Sequence, residues 1–120
     1  MPAVILFEND DVIAFLDHRP ISLGHTLVAP KVNYRDFLDV PNDVFDEITK
    51  VAREIYNKIE EKYEPDGICL LQNNGVYNEL SHYHLHLYPR RKNDGVRWTN
   101  RGLGQQTLNE LKLESIGLII

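Results

Sequence analysis

A chain of 120 residues with a net charge of −5 fits one compact domain, large enough to bury a core without disulfide or metal staples. Its apolar share of 42% and charged share of 26% are those of a globular protein, and no run approaches the ~20 apolar residues that a helical membrane span requires. The negative balance repels polyanions at long range, which argues against nucleic acid as the main partner.

Met1-Pro2-Ala3 leads straight into Val4-Ile5-Leu6-Phe7 with no basic, long-apolar leader, so a cytoplasmic setting is expected. Val4 to Phe7 and Val12-Ile13-Ala14-Phe15-Leu16 read as two strands joined by the polar turn Glu8 to Asp11, the second broken by Arg19-Pro20. Thr26-Leu27-Val28-Ala29 is a buried-strand candidate ended by Pro30-Lys31. Val44, Ile48, Val51, Ala52, Ile55 and Ile59 recur at spacings of three and four, which predicts a long amphipathic helix with Pro41 near its start and Pro65-Asp66-Gly67 closing it. Ile68 to Leu71 follow as a strand, with Cys69 expected to be a small buried hydrophobe. Gln72 to Gly75 read as a polar turn and Ser81 to Tyr88 as a strand stopped by Pro89. Arg90, Arg91, Lys92, Arg97 and Arg101 come next, read as a solvated basic loop rather than an anion funnel. Leu108, Leu111 and Leu113 suggest a short helix before the apolar end Leu118-Ile119-Ile120, which must pack somewhere, a second subunit being one option. The fold class is α+β, one long helix on a mainly antiparallel sheet.

Three of the five histidines fall in His82-Tyr83-His84-Leu85-His86, where strand alternation would line the imidazoles along one face. Two chemistries suit that pattern. Neighbouring histidines can share a zinc ion with a further ligand such as His25, although His82 and His86 would stand about 13 Å apart along a strand. Alternatively the neutral central imidazole, His84, attacks an electrophile while a hydrogen bond to its other nitrogen fixes the tautomer, and its neighbours stabilise charge or move a proton. Phosphorus is the electrophile of choice: Ser81 would point to the opposite face, Cys69 reads as buried, and no glycine-lysine phosphate loop is present.

These residues resemble the histidine triad, or HIT, superfamily of nucleotide hydrolases and transferases, whose signature is His-x-His-x-His followed by apolar residues. Phe15-Leu16-Asp17-His18-Arg19-Pro20, Gly24-His25-Thr26-Leu27-Val28-Ala29-Pro30-Lys31 and Leu71-Gln72-Asn73-Asn74-Gly75 are similar to further family segments in the family's order. The resemblance implies a single HIT domain over 1–120, with about five strands, one long helix and a short C-terminal helix. It implies that His84 attacks an α-phosphate to give a covalent nucleotidyl-histidine that water hydrolyses, with no cofactor and no metal. His86 and His82 would flank the nucleophile, His25 would support the triad, and Asp17 would accept hydrogen bonds from the ribose hydroxyls. Phe15 and His18 would wall the base, a purine by expectation, while Asn73 and Asn78 would lie near the phosphates. A homodimer built through a shared sheet and the long helix is implied too. The chain departs from the pattern in three places. It starts near Val4, without the N-terminal apolar segment or Cys-x-x-Cys pair of some relatives. It has Asn33 where histidine is common, and its shortened loop before His82 places Glu79 near the phosphates, a repulsive position unless the side chain turns away. The competing readings are a His-ligated metallohydrolase and a nucleotide-binding regulatory protein with an idle triad.

Overall fold

The computed structural model describes residues 3–96 and 104–120. The first two apolar runs form β1 (Ile5–Glu8) and β2 (Val12–Leu16), an antiparallel hairpin. Its turn is held by Asn9, whose Oδ1 accepts the amides of Asp11 at 2.9 Å and Val12 at 2.8 Å. Strand β3 (Thr26–Pro30) pairs with β2 and with β5 (Leu85–Arg90), and β5 pairs with β4 (Gly67–Leu71). The result is a five-stranded antiparallel sheet in the order β1-β2-β3-β5-β4.

Helix α1 (Asn42–Tyr63) covers one face of that sheet. Its buried stripe of Ile48, Val51, Ala52, Ile55 and Ile59 meets Val12, Ala14, Val28 and Leu87, the inward residues of three strands. Each valine, isoleucine or leucine among them contributes roughly 1.5–3 kcal/mol by leaving water, so the helix and sheet need each other. The helix ends at Glu64, left-handed at φ 45°, and the Arg91 guanidinium donates to the free carbonyls of Tyr63 and Glu64. Arg90 is tied by Nε to Asp94 at 2.7 Å and by Nη2 to the Val96 carbonyl at 2.6 Å. These two arginines therefore brace the chain rather than float in a solvated loop; Arg97 and Arg101 of that basic run lie outside the described residues.

Three local expectations need correction. Pro89 lies inside β5, paired with Ile68, because its nitrogen and carbonyl point to the side where β3 has already ended. No ladder hydrogen bond is lost there, and the Pro89 carbonyl accepts the Ser22 hydroxyl at 2.7 Å. The strand expected from Ser81 begins only at Leu85, since Ser81 is left-handed at φ 51° and Pro30 on β3 has no amide to extend the ladder. Cys69 is half-buried, not enclosed, with Arg90 Nη1 3.5 Å from its sulfur.

The short helix α2 (Leu108–Glu114) forms behind a capping box in which Thr107 and Glu110 exchange hydrogen bonds. Its leucines are exposed, as are Leu118, Ile119 and Ile120 at 74%, 82% and 121% of the reference area, so the apolar end is not buried on its own chain.

Candidate active site

The sheet face turned away from α1 carries Phe15, Leu27 and His86. Phe15 pairs with Leu27, Leu27 with His86, and His86 with Leu71, so one row of paired side chains crosses β2, β3, β5 and β4. Directly paired residues share a face, and this row floors a cavity of about 630 Å³, the size of a pocket for a small organic ligand. Asp17, His18 and Arg19 lie along it where the chain leaves β2. Asn73, Tyr77, Glu79 and Leu80 line it from the loop that follows β4, and His84 joins His86 at its centre.

Backbone groups decide how the imidazoles are wired. The amide of Ile21 donates to His25 Nδ1 at 3.0 Å, so the neutral His25 ring carries its hydrogen on Nε2. That Nε2 lies 2.9 Å from His86 Nδ1, which must then accept, leaving the His86 hydrogen on Nε2. His84 Nδ1 stands 2.9 Å from the carbonyl of His82 and donates to it, so the lone pair of His84 sits on Nε2. The rings of His84 and His86 meet edge to face with centroids 4.7 Å apart. Of these two rings, His84 therefore offers a free lone pair and His86 an N–H.

Burial lowers the pKa of His25, opposed by Asp17, and holds that of His86 down at about 4, with His84 and His25 adding to the depression. Both rings are neutral at pH 7, as the single shared hydrogen requires. The stability consequence has a definite sign. A base whose folded pKa lies below its unfolded value near 6.5 binds more protons when unfolded, so stability is complete above pH 6.5 and lost as pH falls toward 4. The unfolding free energy should decline across that window by at most about 1.4 kcal/mol per pH unit for this group, and the thermal midpoint should fall with it. His86→Gln should flatten the decline in a pH series of melting curves; an identical slope in both proteins would show that the ring does not titrate in this way.

Asp17 uses Oδ1 to accept the Arg19 amide at 2.9 Å, closing a turn, and places Oδ2 3.6 Å from His25 Nε2. Asp17, His25 and His86 thus hold three potential ligand atoms within 4.8 Å of one another. The wiring does not suit a metal: a ligating histidine uses its second nitrogen as a donor, whereas His25 Nδ1 is committed as an acceptor by the Ile21 amide. The cluster fits a proton-sharing pair better than a zinc site.

The structure brings together His84, His86, Asp17, Phe15, His18 and Asn73 on the cavity, with His25 behind His86. Two expected site residues are placed elsewhere. The His82 ring does not join the cavity; its Nε2 donates to the Pro30 carbonyl at 2.6 Å, because the bend at Ser81 interrupts the alternation that would have aligned it with the other two. It is the His82 carbonyl, not the ring, that meets His84. Asn78 is buried and is not among the residues that line the cavity; its Nδ2 reaches the Arg35 carbonyl at 2.6 Å and Asp36 Oδ1 at 3.3 Å. Arg19, Tyr77 and Leu80 line the cavity without having been singled out, since only the folded loops bring them there.

The chain was compared with known proteins. The HIT domain model matches residues 1–93. The chain belongs to the HIT family. An uncharacterized HIT-like protein of Methanocaldococcus jannaschii is 36% identical over 97 residues, covering 79% of this chain and 74% of the relative. The adenylylsulfatase HINT3 of Arabidopsis thaliana is 31% identical over 109 residues, 89% of this chain and 55% of that protein. The crystal structure of a HIT family protein from Bacillus anthracis superposes with a TM-score of 0.80 at 31% identity, covering 98% of this chain and 86% of that one. The HIT fold expected from the motifs is thus the fold observed, with its five strands, long helix and short terminal helix.

Proposed function

We propose that this HIT domain, taken as one unit over 1–120, is a nucleotidyl hydrolase or transferase acting at the α-phosphate of a purine nucleotide conjugate, a phosphoramidate or a phosphoanhydride. The observation that carries the reading is the wiring of the central pair: His84 has an unshared lone pair at the cavity, while His86 presents an N–H beside it. His84 Nε2 attacks phosphorus, the bond from phosphorus to the leaving group breaks, and its electron pair departs with that group, which takes a proton from water. The Nδ1–H bond to the His82 carbonyl supports the positive charge that grows on the ring. The His86 N–H steadies a phosphoryl oxygen. Water then attacks the nucleotidyl-histidine, returns the borrowed proton, and restores His84 with its lone pair.

Asp17 beside the apolar row suits the ribose hydroxyls, with Phe15 and His18 against the base and Asn73 toward the phosphates. A relative named as an adenylylsulfatase agrees with chemistry at an adenylyl phosphate. The β4 edge, unpaired among the described residues, and the exposed Leu118-Ile119-Ile120 end support a homodimer. Among the described residues no helix is long and apolar enough to cross a membrane, and a cytoplasmic setting is part of the proposal.

The test is turnover of a fluorogenic adenosine phosphoramidate and of a dinucleoside polyphosphate in excess chelator. Mass spectrometry of the acid-sensitive, rapidly quenched enzyme should show one added nucleotidyl group on the peptide bearing His84. Turnover that chelation abolishes and zinc restores would favour a metallohydrolase, and tight nucleotide binding with no turnover an idle binding protein.

A further inference from the structure

Glu79 is among the residues that line the cavity. A site built to receive a phosphate ordinarily surrounds it with donors and cations, yet here a second carboxylate joins Asp17 on the wall. Its place is built rather than accidental. Two segments far apart in sequence clasp each other: the Phe37 amide donates to Asn74 Oδ1 at 2.7 Å, the Gly75 amide to Asp36 Oδ1 at 3.3 Å, and Asn78 Nδ2 to the Arg35 carbonyl at 2.6 Å. With Asn78 anchored inward and buried, its neighbours Tyr77 and Glu79 are left at the cavity. Glu79 is exposed at the cavity, and among the described residues its carboxylate makes no ion pair or hydrogen bond.

The charges are also segregated along the chain. Arg19 follows Asp17 and His18 where the chain leaves β2, whereas Glu79 stands on the loop between β4 and β5, and in the sheet β3 and β5 lie between β2 and β4. With the nucleoside at Asp17 and His18, as the proposed function has it, the group that leaves phosphorus faces that loop.

We propose that Glu79 determines the class of leaving group: it favours an amine- or aminoacyl-type group bearing a positive charge and disfavours one carrying further phosphates. This rests on the proposed nucleotidyl transfer to His84. An α-ammonium, with a pKa of about 8, is largely cationic at pH 7, whereas each added phosphate brings at least one negative charge against the carboxylate. In a half-open cavity, where the effective dielectric lies between that of protein and of water, one such charge changes kcat/KM by about three- to tenfold in each direction.

The experiment compares Glu79→Gln with the wild type on two adenosine conjugates, a lysine-linked phosphoramidate and a dinucleoside polyphosphate. The ratio of kcat/KM for the polyphosphate to that for the cationic phosphoramidate should rise about ten- to a hundredfold in the variant, whatever happens to the absolute rates. Glu79→Lys should move the ratio further in the same direction. Salt should weaken the wild type's preference and leave that of Glu79→Gln nearly flat. A ratio unmoved by either substitution, or a wild type that prefers the polyphosphate, would overturn the assignment of Glu79. Failure of both proteins to turn over either compound would instead overturn the nucleotidyl-transfer reading beneath it.

Discussion

His84→Ala should lose at least about a thousandfold in turnover while still folding and still binding nucleotide. The reason is positional. His86 cannot take over, because its Nδ1 accepts from His25 and its remaining nitrogen carries the hydrogen. His82 cannot either, since its ring is turned onto the Pro30 carbonyl and away from the cavity. The structural penalty is small: the only bond lost from the His84 ring among the described residues is the one to the His82 carbonyl, and β5 begins beyond it at Leu85. Circular dichroism and the melting midpoint should therefore stay near the wild type, with nucleotide affinity retained within several-fold. A purified variant that kept more than a few per cent of wild-type turnover would show that His84 is not the nucleophile.

What the sequence reveals and what it conceals divide along a physical line. Apolar spacing predicts the strands and the long helix because burial of Val12, Val28, Ile48 and Ile55 is a property of the side chains themselves. The three histidines announce their chemistry for a similar reason, since imidazole has few substitutes near pH 7. The orientation of each ring is another matter. His82 leaves the row because Ser81 adopts a left-handed backbone and Pro30 cannot donate, two backbone conditions that no alternation pattern encodes. The tautomers of His25 and His84 are set by the Ile21 amide and the His82 carbonyl, groups common to every residue and therefore silent in the sequence. Asn78 illustrates the same limit at long range: its partner is the backbone of Arg35, 43 residues away. Of the residues named by the motif resemblance, Phe15, Asp17, His18, Asn73, His84 and His86 line one cavity, while the wiring among the rings is not written in the motifs.

Asp17 holds a turn and, in the proposed function, the ribose as well. Its Oδ1 closes the turn onto the Arg19 amide, the structural role that a carboxylate before Arg19-Pro20 suggests, while Oδ2 remains near His25 at the cavity. Replacement by alanine would remove both functions together, so Asp17→Asn is the cleaner substitution: the amide oxygen can keep the turn, but the second acceptor becomes a donor and the charge is lost. A hydrogen bond to a charged acceptor is worth ~1.5–3 kcal/mol, which predicts a ten- to hundredfold loss of affinity for a ribonucleotide. A carboxylate that holds the ribose in ground and transition states alike acts on KM more than on kcat. The 2′,3′-dideoxy analogue, which has no hydroxyls to present, should bind wild type and variant within about threefold of each other. Isothermal titration with the two ligands separates the roles: equal losses for both would mean that Asp17 serves only the turn, whereas a loss confined to the ribonucleotide places its free oxygen on the sugar.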